Sequence, residues 1–252
     1  MRVPSFCHVT ETCGFAARTR LWSTMGPMPL ARAGRPRLHT QRRPGMNARD
    51  EILDAAGELF TTLGYAGTST RSIAESVGIR QASLYHYFNT KDDILCALLS
   101  QTVAPTLSFI SDLLDNDPAL TAAEYLHALA AFDGDRLLSG RWNLGALYLL
   151  PELRDARLEP FWSQRERLRL HYLAHSHSIV EQTGVNEAAA DLPFHLVESL
   201  VNMWSVAPGP ERASLPFHVA DACMRVLGIT DNDNSALHER SRLEIQRYAV
   251  AE

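Results

Sequence analysis

A glycine at position 78, set between two short runs with helical apolar spacing, constrains this chain more than any other feature. Before it, Ile73, Ala74 and Val77 recur at the spacing that lines one face of a helix. Ser69 or Thr70 can cap the start, because a hydroxyl oxygen accepts from an N–H of the first turn that has no partner inside the helix. Gly78 can take the left-handed conformation past the helix end at little steric cost. Ile79 re-enters the core, and Arg80 to Tyr87 predicts a second helix with Ala82, Leu84 and Phe88 on its inner face. Two short helices around a glycine turn are the plan of a helix-turn-helix, whose second helix fits the DNA major groove.

Removing the core face leaves Thr70, Arg71, Gln81, Ser83, Tyr85, His86 and Tyr87 on the outside. Gln and Arg can pair bidentately with base edges, and Ser, Thr and Tyr suit phosphate oxygens. Lys91, the only lysine in the chain, opens the next helix. Its ammonium and the first N–H groups of that helix are expected to face a phosphate. The competing reading of these residues is a solvated polar face on an ordinary helical hairpin.

The run Ile52, Ala55, Ala56, Leu59, Phe60, Gly64, Tyr65, then Thr68 to Arg71, Ile73, Ala74, Gly78, Ile79, Ser83 to Phe88, Lys91, Ile94 and Leu95 resembles the TetR (tetracycline-repressor-like) regulators. The match is close from Ile52 to Leu95, and beyond Leu95 only the general plan is similar. The resemblance implies a dimeric repressor with an amino-terminal three-helix DNA-binding domain. It also implies an all-helical carboxy-terminal domain that binds a small molecule in many members.

Net charge is −5, which looks wrong for a DNA binder until it is partitioned. Residues 1–49 hold nine Arg against Glu11 alone, whereas residues 50–95 and 96–252 are net acidic. A basic end steers toward phosphate, and an acidic body discourages non-specific coating of DNA. Within the basic end, Arg35 and Arg37 flank Pro36 in an acid-poor stretch without apolar period, so residues 1–46 are expected to be an unstructured extension. Such an arm can lay Arg35 and Arg37 into a narrow minor groove, or it can simply attract phosphate without fixed contacts. Met25, Met28 and Met46 are alternative starts to Met1.

Cys7, Cys13, Cys96 and Cys223 lack the paired spacing of a zinc site or a disulfide framework. No uninterrupted apolar run approaches the roughly 18 residues of a spanning helix, and residues 1–45 lack the apolar core of a secretory signal. The expectation is a cytoplasmic protein without a membrane partner.

The fold class read from the pattern is all-α, with no hairpin signal anywhere. Residues 47–92 form the DNA-binding domain, with a first helix from about Ala48 to Leu63 capped by Asn47. Leu63, Ile73, Leu84 and Phe88 are expected to share its core. Residues 93–230 form an effector-binding and dimerisation domain, and residues 231–252 a polar tail with a weak terminal helix around Leu237 to Tyr248. In the body, Pro105 is expected to kink or end a helix that, by the TetR resemblance, couples the two domains. Thr121 caps a helix to about Leu138; Trp142 to Leu150 is a short apolar helix, and Glu152 to Gln182 a long one, or two with a break near Pro160. The last two core helices, about Glu187–Val206 and Ser214–Leu227, are the expected dimer surface.

Pockets between bundle helices are apolar with a few convergent polar groups. The candidates for lining one are Trp142, Tyr148, Phe161, Trp162, Tyr172, His175 and Trp204, which favours an apolar or aromatic effector. Plain core packing explains the same aromatic spacing. His171 and His175, one turn apart with Glu181 beyond, could in principle meet at a metal, but the sequence is not HExxH and no cysteine joins them. No phosphate loop or nucleophile signature is present, so neither an enzyme nor a cofactor is indicated. The rival to a ligand-responsive repressor is a helix-turn-helix activator or architectural protein without a ligand.

Overall fold

The computed structural model describes residues 46–150, 156–204, 210–230 and 234–251, and all regular structure among them is helical. Arg35 and Arg37 lie outside these residues, as do Cys7, Cys13 and the alternative starts before Met46. Helix α1 spans Ala48–Leu63 behind Asn47, whose side chain accepts from the Asp50 amide. Helix α2 spans Thr70–Val77, and α3 Gln81–Leu84. Of the two capping candidates it is Ser69 that caps α2, in a reciprocal box with Ser72. Thr70 is thereby left free to present its hydroxyl outward. Gly78 sits at φ 79°, left-handed, where a Cβ-bearing residue would be strained.

Ile73 and Leu84 are fully buried, with Phe88 nearly so, and Ile52, Ala55, Ala56 and Phe60 of α1 pack beneath them. Two inward expectations are corrected. Leu63 is 61% exposed because α1 ends there, and Ala82 is exposed because α3 is only one turn long. Past Leu84 the chain tightens, with the amides of His86 and Tyr87 donating to the carbonyls of Ser83 and Leu84, and Arg80 stays extended as the cap.

Helix α4 runs unbroken from Lys91 to Asn116 with Pro105 inside it, so the expected kink does not end the helix. The carbonyl that Pro105 leaves without a partner belongs to Gln101, which is exposed, so water can serve it. By length and hydropathy α4 could cross a membrane, but Ile94, Leu95, Leu98, Leu99, Val103, Phe109, Ile110 and Leu113 are buried in the helical body. Helix α5 (Ala122–Ser139) lies at the centre and is buried along nearly its whole length. After it come a 3-10 segment at Leu144–Leu149, a 3-10 turn at Ala156–Leu158 and helix α6 (Glu159–Thr183). Pro160 does not break α6; it occupies the first turn, where its missing N–H costs nothing. The expected single helix over Glu187–Val206 is instead a 3-10 segment (Glu187–Asp191), α7 (Leu192–Glu198) and α8 (Leu200–Met203), with Pro193 starting α7. Helix α9 spans Pro210–Val226 against α5.

Residues 235–251 form α10, which is built into the body rather than trailing as a polar tail. Its polar sequence conceals a buried stripe of Ser241, Glu244 and Tyr248. The Tyr248 ring stands edge-on to Phe109 and Phe132, 5.4 Å from each, and those two stack at 4.2 Å.

Candidate nucleic-acid interface

The outer face of the helix-turn-helix is organised by Thr70, Gln81 and Tyr85. The Gln81 amide donates to Thr70 Oγ1 at 2.9 Å and to the Tyr85 hydroxyl at 3.2 Å, and those two oxygens are 3.1 Å apart. The start of α2 thus meets the first turn of α3 through three side chains that can also bond to DNA. His86 and Tyr87 are exposed beside them, and Ser83 is half-buried. Arg71 pairs with Glu75 one turn away at 2.8 Å, both exposed. Such a pair contributes little to stability, so the guanidinium is easily drawn away by a phosphate.

Lys91 differs from the phosphate-facing expectation. Its ammonium turns inward, donating to the carbonyls of Tyr65 and Thr68 at 2.9 Å each and lying 4.0 Å over the Tyr65 ring. The reason is local. The loop between α1 and α2 points carbonyls at the start of α4, and an ammonium satisfies them better than water would. Two of its three protons are engaged, leaving one for an incoming anion.

Contacts that the sequence did not announce tie this unit to the body. Asp54 of α1 accepts from Trp142 Nε1 at 2.9 Å and from Arg141 at 3.2 Å. Gly57, one turn on, lets the Trp142 ring lie against the helix, since a Cβ there would sit 3.0 Å from the ring. Asp92, at the start of α4, pairs with Arg157 and accepts from the Tyr65 hydroxyl. No short-range pattern could have found these pairs, whose members are far apart in sequence.

The aromatic set expected to line an effector pocket is mostly packed core. Phe161 and Tyr172 are fully buried. Tyr148 packs 5.4 Å from Phe161, which is 5.1 Å from Trp162. His175 lies against the Tyr125 ring at 3.7 Å, and Trp204 is covered by Arg212. The space beside Tyr148 is about 10 Å³, room for a single water at most. A polar network fills it instead. Asp133 accepts from Thr106 at 2.8 Å and from Tyr172 at 3.0 Å, Tyr148 bonds Thr102, and Arg165 forks onto Glu198. Trp142, of the expected set, borders a roomy cavity of about 870 Å³ between α1, α4 and the end of α5. Asp50, Asp54, Arg136 and Arg141 share its wall with Leu98 and Leu144.

Nδ1 of His171 lies 3.4 Å from the Tyr125 hydroxyl, and Glu181 is exposed. Burial, with His171 nearby, pushes His175 down to about 4. Burial raises the Asp133 carboxyl to about 6, against the pull of the bonds from Thr106 and Tyr172 and with the Glu198 charge adding to the rise. Because the folded form holds this proton more tightly than the unfolded chain, Asp133 favours folding below the unfolded carboxylate range near 4, and the advantage is lost as pH rises through about 6. Asp133→Asn should therefore remove a falling component of stability between roughly pH 4 and 6. Urea midpoints measured across that range check this; an unchanged pH profile in the variant would exclude Asp133 as its source.

A family profile described as "Bacterial regulatory proteins, tetR family" matches residues 52–98. The crystal structure of Mycobacterium smegmatis AmtR is 48% identical, covers 82% of this chain and 98% of its own, and superposes with a TM-score of 0.74. The chain belongs to the TetR family of bacterial regulatory proteins. The ketosteroid regulator KstR2 of Mycobacterium tuberculosis, at 18% identity and TM-score 0.58, shares the fold. Among curated relatives, the fatty acid metabolism regulator protein of Bacillus subtilis is 33% identical over 109 residues, 43% of this chain and 54% of its own length. The repressor KstR2 of Rhodococcus jostii is 36% identical over 78 residues, 29% of this chain and 38% of its own. The chain thus spans about half or less of the length of these curated relatives.

Proposed function

We propose that this TetR-family protein is a sequence-specific, homodimeric DNA-binding repressor of the cytoplasm, released from a near-palindromic operator by a small molecule. The observation that carries the reading is the Thr70–Gln81–Tyr85 cluster on the exposed face of the helix-turn-helix. Preformed bonds hold Gln81 and Tyr85 in place, so little side-chain entropy is lost on meeting base edges. Ser83, His86 and Tyr87 extend that surface, and Arg71, Arg35 and Arg37 supply phosphate contacts. Two such units in one dimer, built through the outer faces of α7 to α9, would reach successive major grooves about 34–36 Å apart.

The effector site moves from the aromatic core to the cavity beside Trp142. Its wall mixes two carboxylates, two guanidinium groups and apolar side chains, which suits a small molecule with both polar and apolar parts. Asp54, Arg141 and Trp142 both line it and latch α1 to the body, so an occupant that breaks the latch favours a different setting of the reading heads.

An unbiased selection of duplexes by the full chain, followed by anisotropy titrations, tests the reading. Gln81→Ala should weaken the selected site by about 1–3 kcal/mol and leave random duplex binding unchanged. An equal loss on both duplexes would remove Gln81 from base reading, and no selected duplex would end the proposal. Compounds that release the DNA from the parent protein and not from Trp142→Ala place the effector in this cavity. A regulator that no compound releases is the ligand-independent alternative.

A further inference from the structure

We infer that His127, Asp221 and His238 form a divalent transition-metal site, of the zinc class, that clamps α10 to α5 and α9. These three come from three helices, and their ligand atoms lie within 4.8 Å of one another. Nε2 of His127 is 3.2 Å and Nε2 of His238 2.9 Å from the same oxygen, Oδ1 of Asp221. In a tetrahedral zinc site with bonds of roughly 2.0–2.2 Å, neighbouring ligand atoms are about 3.3 Å apart, so both nitrogens already stand close to the required distance from the oxygen.

The hydrogen bonding points the same way. Oδ1 of Asp221 also faces the Asn234 amide nitrogen at 2.8 Å, so three donors converge on one oxygen that has two lone pairs. An ion would replace the two imidazole protons with two metal–nitrogen bonds and leave Oδ1 a single N–H to accept. The ring of His127 is fixed from behind, its Nδ1 bonded to Ser241 Oγ at 2.7 Å, which is the outer-shell partner a metal-bound imidazole requires. His127 is fully buried, and the Phe217 ring closes the side, 5.1 Å from His238 and 6.1 Å from His127.

Two imidazoles and one carboxylate suit zinc, cobalt or nickel, and the same set serves non-haem iron when several positions stay open. Burial favours zinc here. The Asp221 and His238 side chains are 14% and 22% exposed, which leaves room for one further ligand, a water or the Asn234 amide oxygen. The three ligands join α5, α9 and α10, so the ion would hold these helices together.

The test uses the full chain, stripped with chelator and titrated with zinc chloride by calorimetry and thermal melting. One zinc per chain is expected, with a rise in Tm of about 5–10 °C at hundredfold excess over Kd. Cobalt chloride should give the visible bands of tetrahedral coordination. His238→Ala, at a part-exposed position, should still fold and lose zinc affinity by more than the about 10–100-fold that an outer-shell change costs. His175→Ala should bind zinc like the parent, since it lies elsewhere. No saturable zinc binding at micromolar concentration, or equal binding by the parent and by folded His238→Ala, overturns the site.

Discussion

Replacing Arg165 with alanine is expected to cost about 2–3 kcal/mol of folding stability, below the roughly 3–5 kcal/mol of a fully buried ion pair because both side chains keep some contact with water. The guanidinium forks onto Glu198, Nε to Oε1 at 2.7 Å and Nη2 to Oε2 at 2.5 Å, with the two side chains 20% and 18% exposed. It also lies 4.8 Å over Phe194 and 5.5 Å over Trp162, so truncation removes packing as well as charge. What remains is worse than a cavity. Glu198 would keep only the His195 ring, 3.7 Å away, and its charge already opposes ionisation of the buried Asp133. The double variant Arg165→Met with Glu198→Leu should recover most of the loss, because neither charge is then left stranded. Urea unfolding of the single and double variants decides it. A single variant within about 1 kcal/mol of the parent would mean that the pair is effectively solvated.

Truncation after Thr230 should be at least as damaging. Removing α10 uncovers the stacked Phe109–Phe132 pair that Tyr248 closes and takes Ser241 from the buried ring of His127. Truncating a single buried ring typically costs about 3–5 kcal/mol, against a total stability of about 5–15 kcal/mol. The expected product aggregates or melts without a cooperative transition in calorimetry. A truncated chain that melts sharply near the parent temperature would show that α10 is dispensable.

The helix-turn-helix was legible because its determinants are local. Asn47, Ser69 and Gly78 each act within a few residues, and the bounds of α1 and α2 follow from them, whereas α3 is shorter than the expected Arg80 to Tyr87. The body was legible only as a series of helices. Which aromatic rings pack solidly depends on partners far along the chain, as with Tyr172 and Asp133, 39 residues apart. Charge patterning misled in two places. Residues 235–251 look like a solvated tail, yet Glu244 is buried with Arg240 and Arg247 paired to it. Lys91 looks like a phosphate contact, and its neighbourhood in space, rather than in sequence, turns it to the loop carbonyls.

That turn has a practical corollary. The molecule carries a single side-chain primary amine, and it is tucked beneath the loop that precedes the DNA-reading helices. Any acylating dye or cross-linker therefore has one ε-amino target, and its reaction rate would follow the opening of that loop.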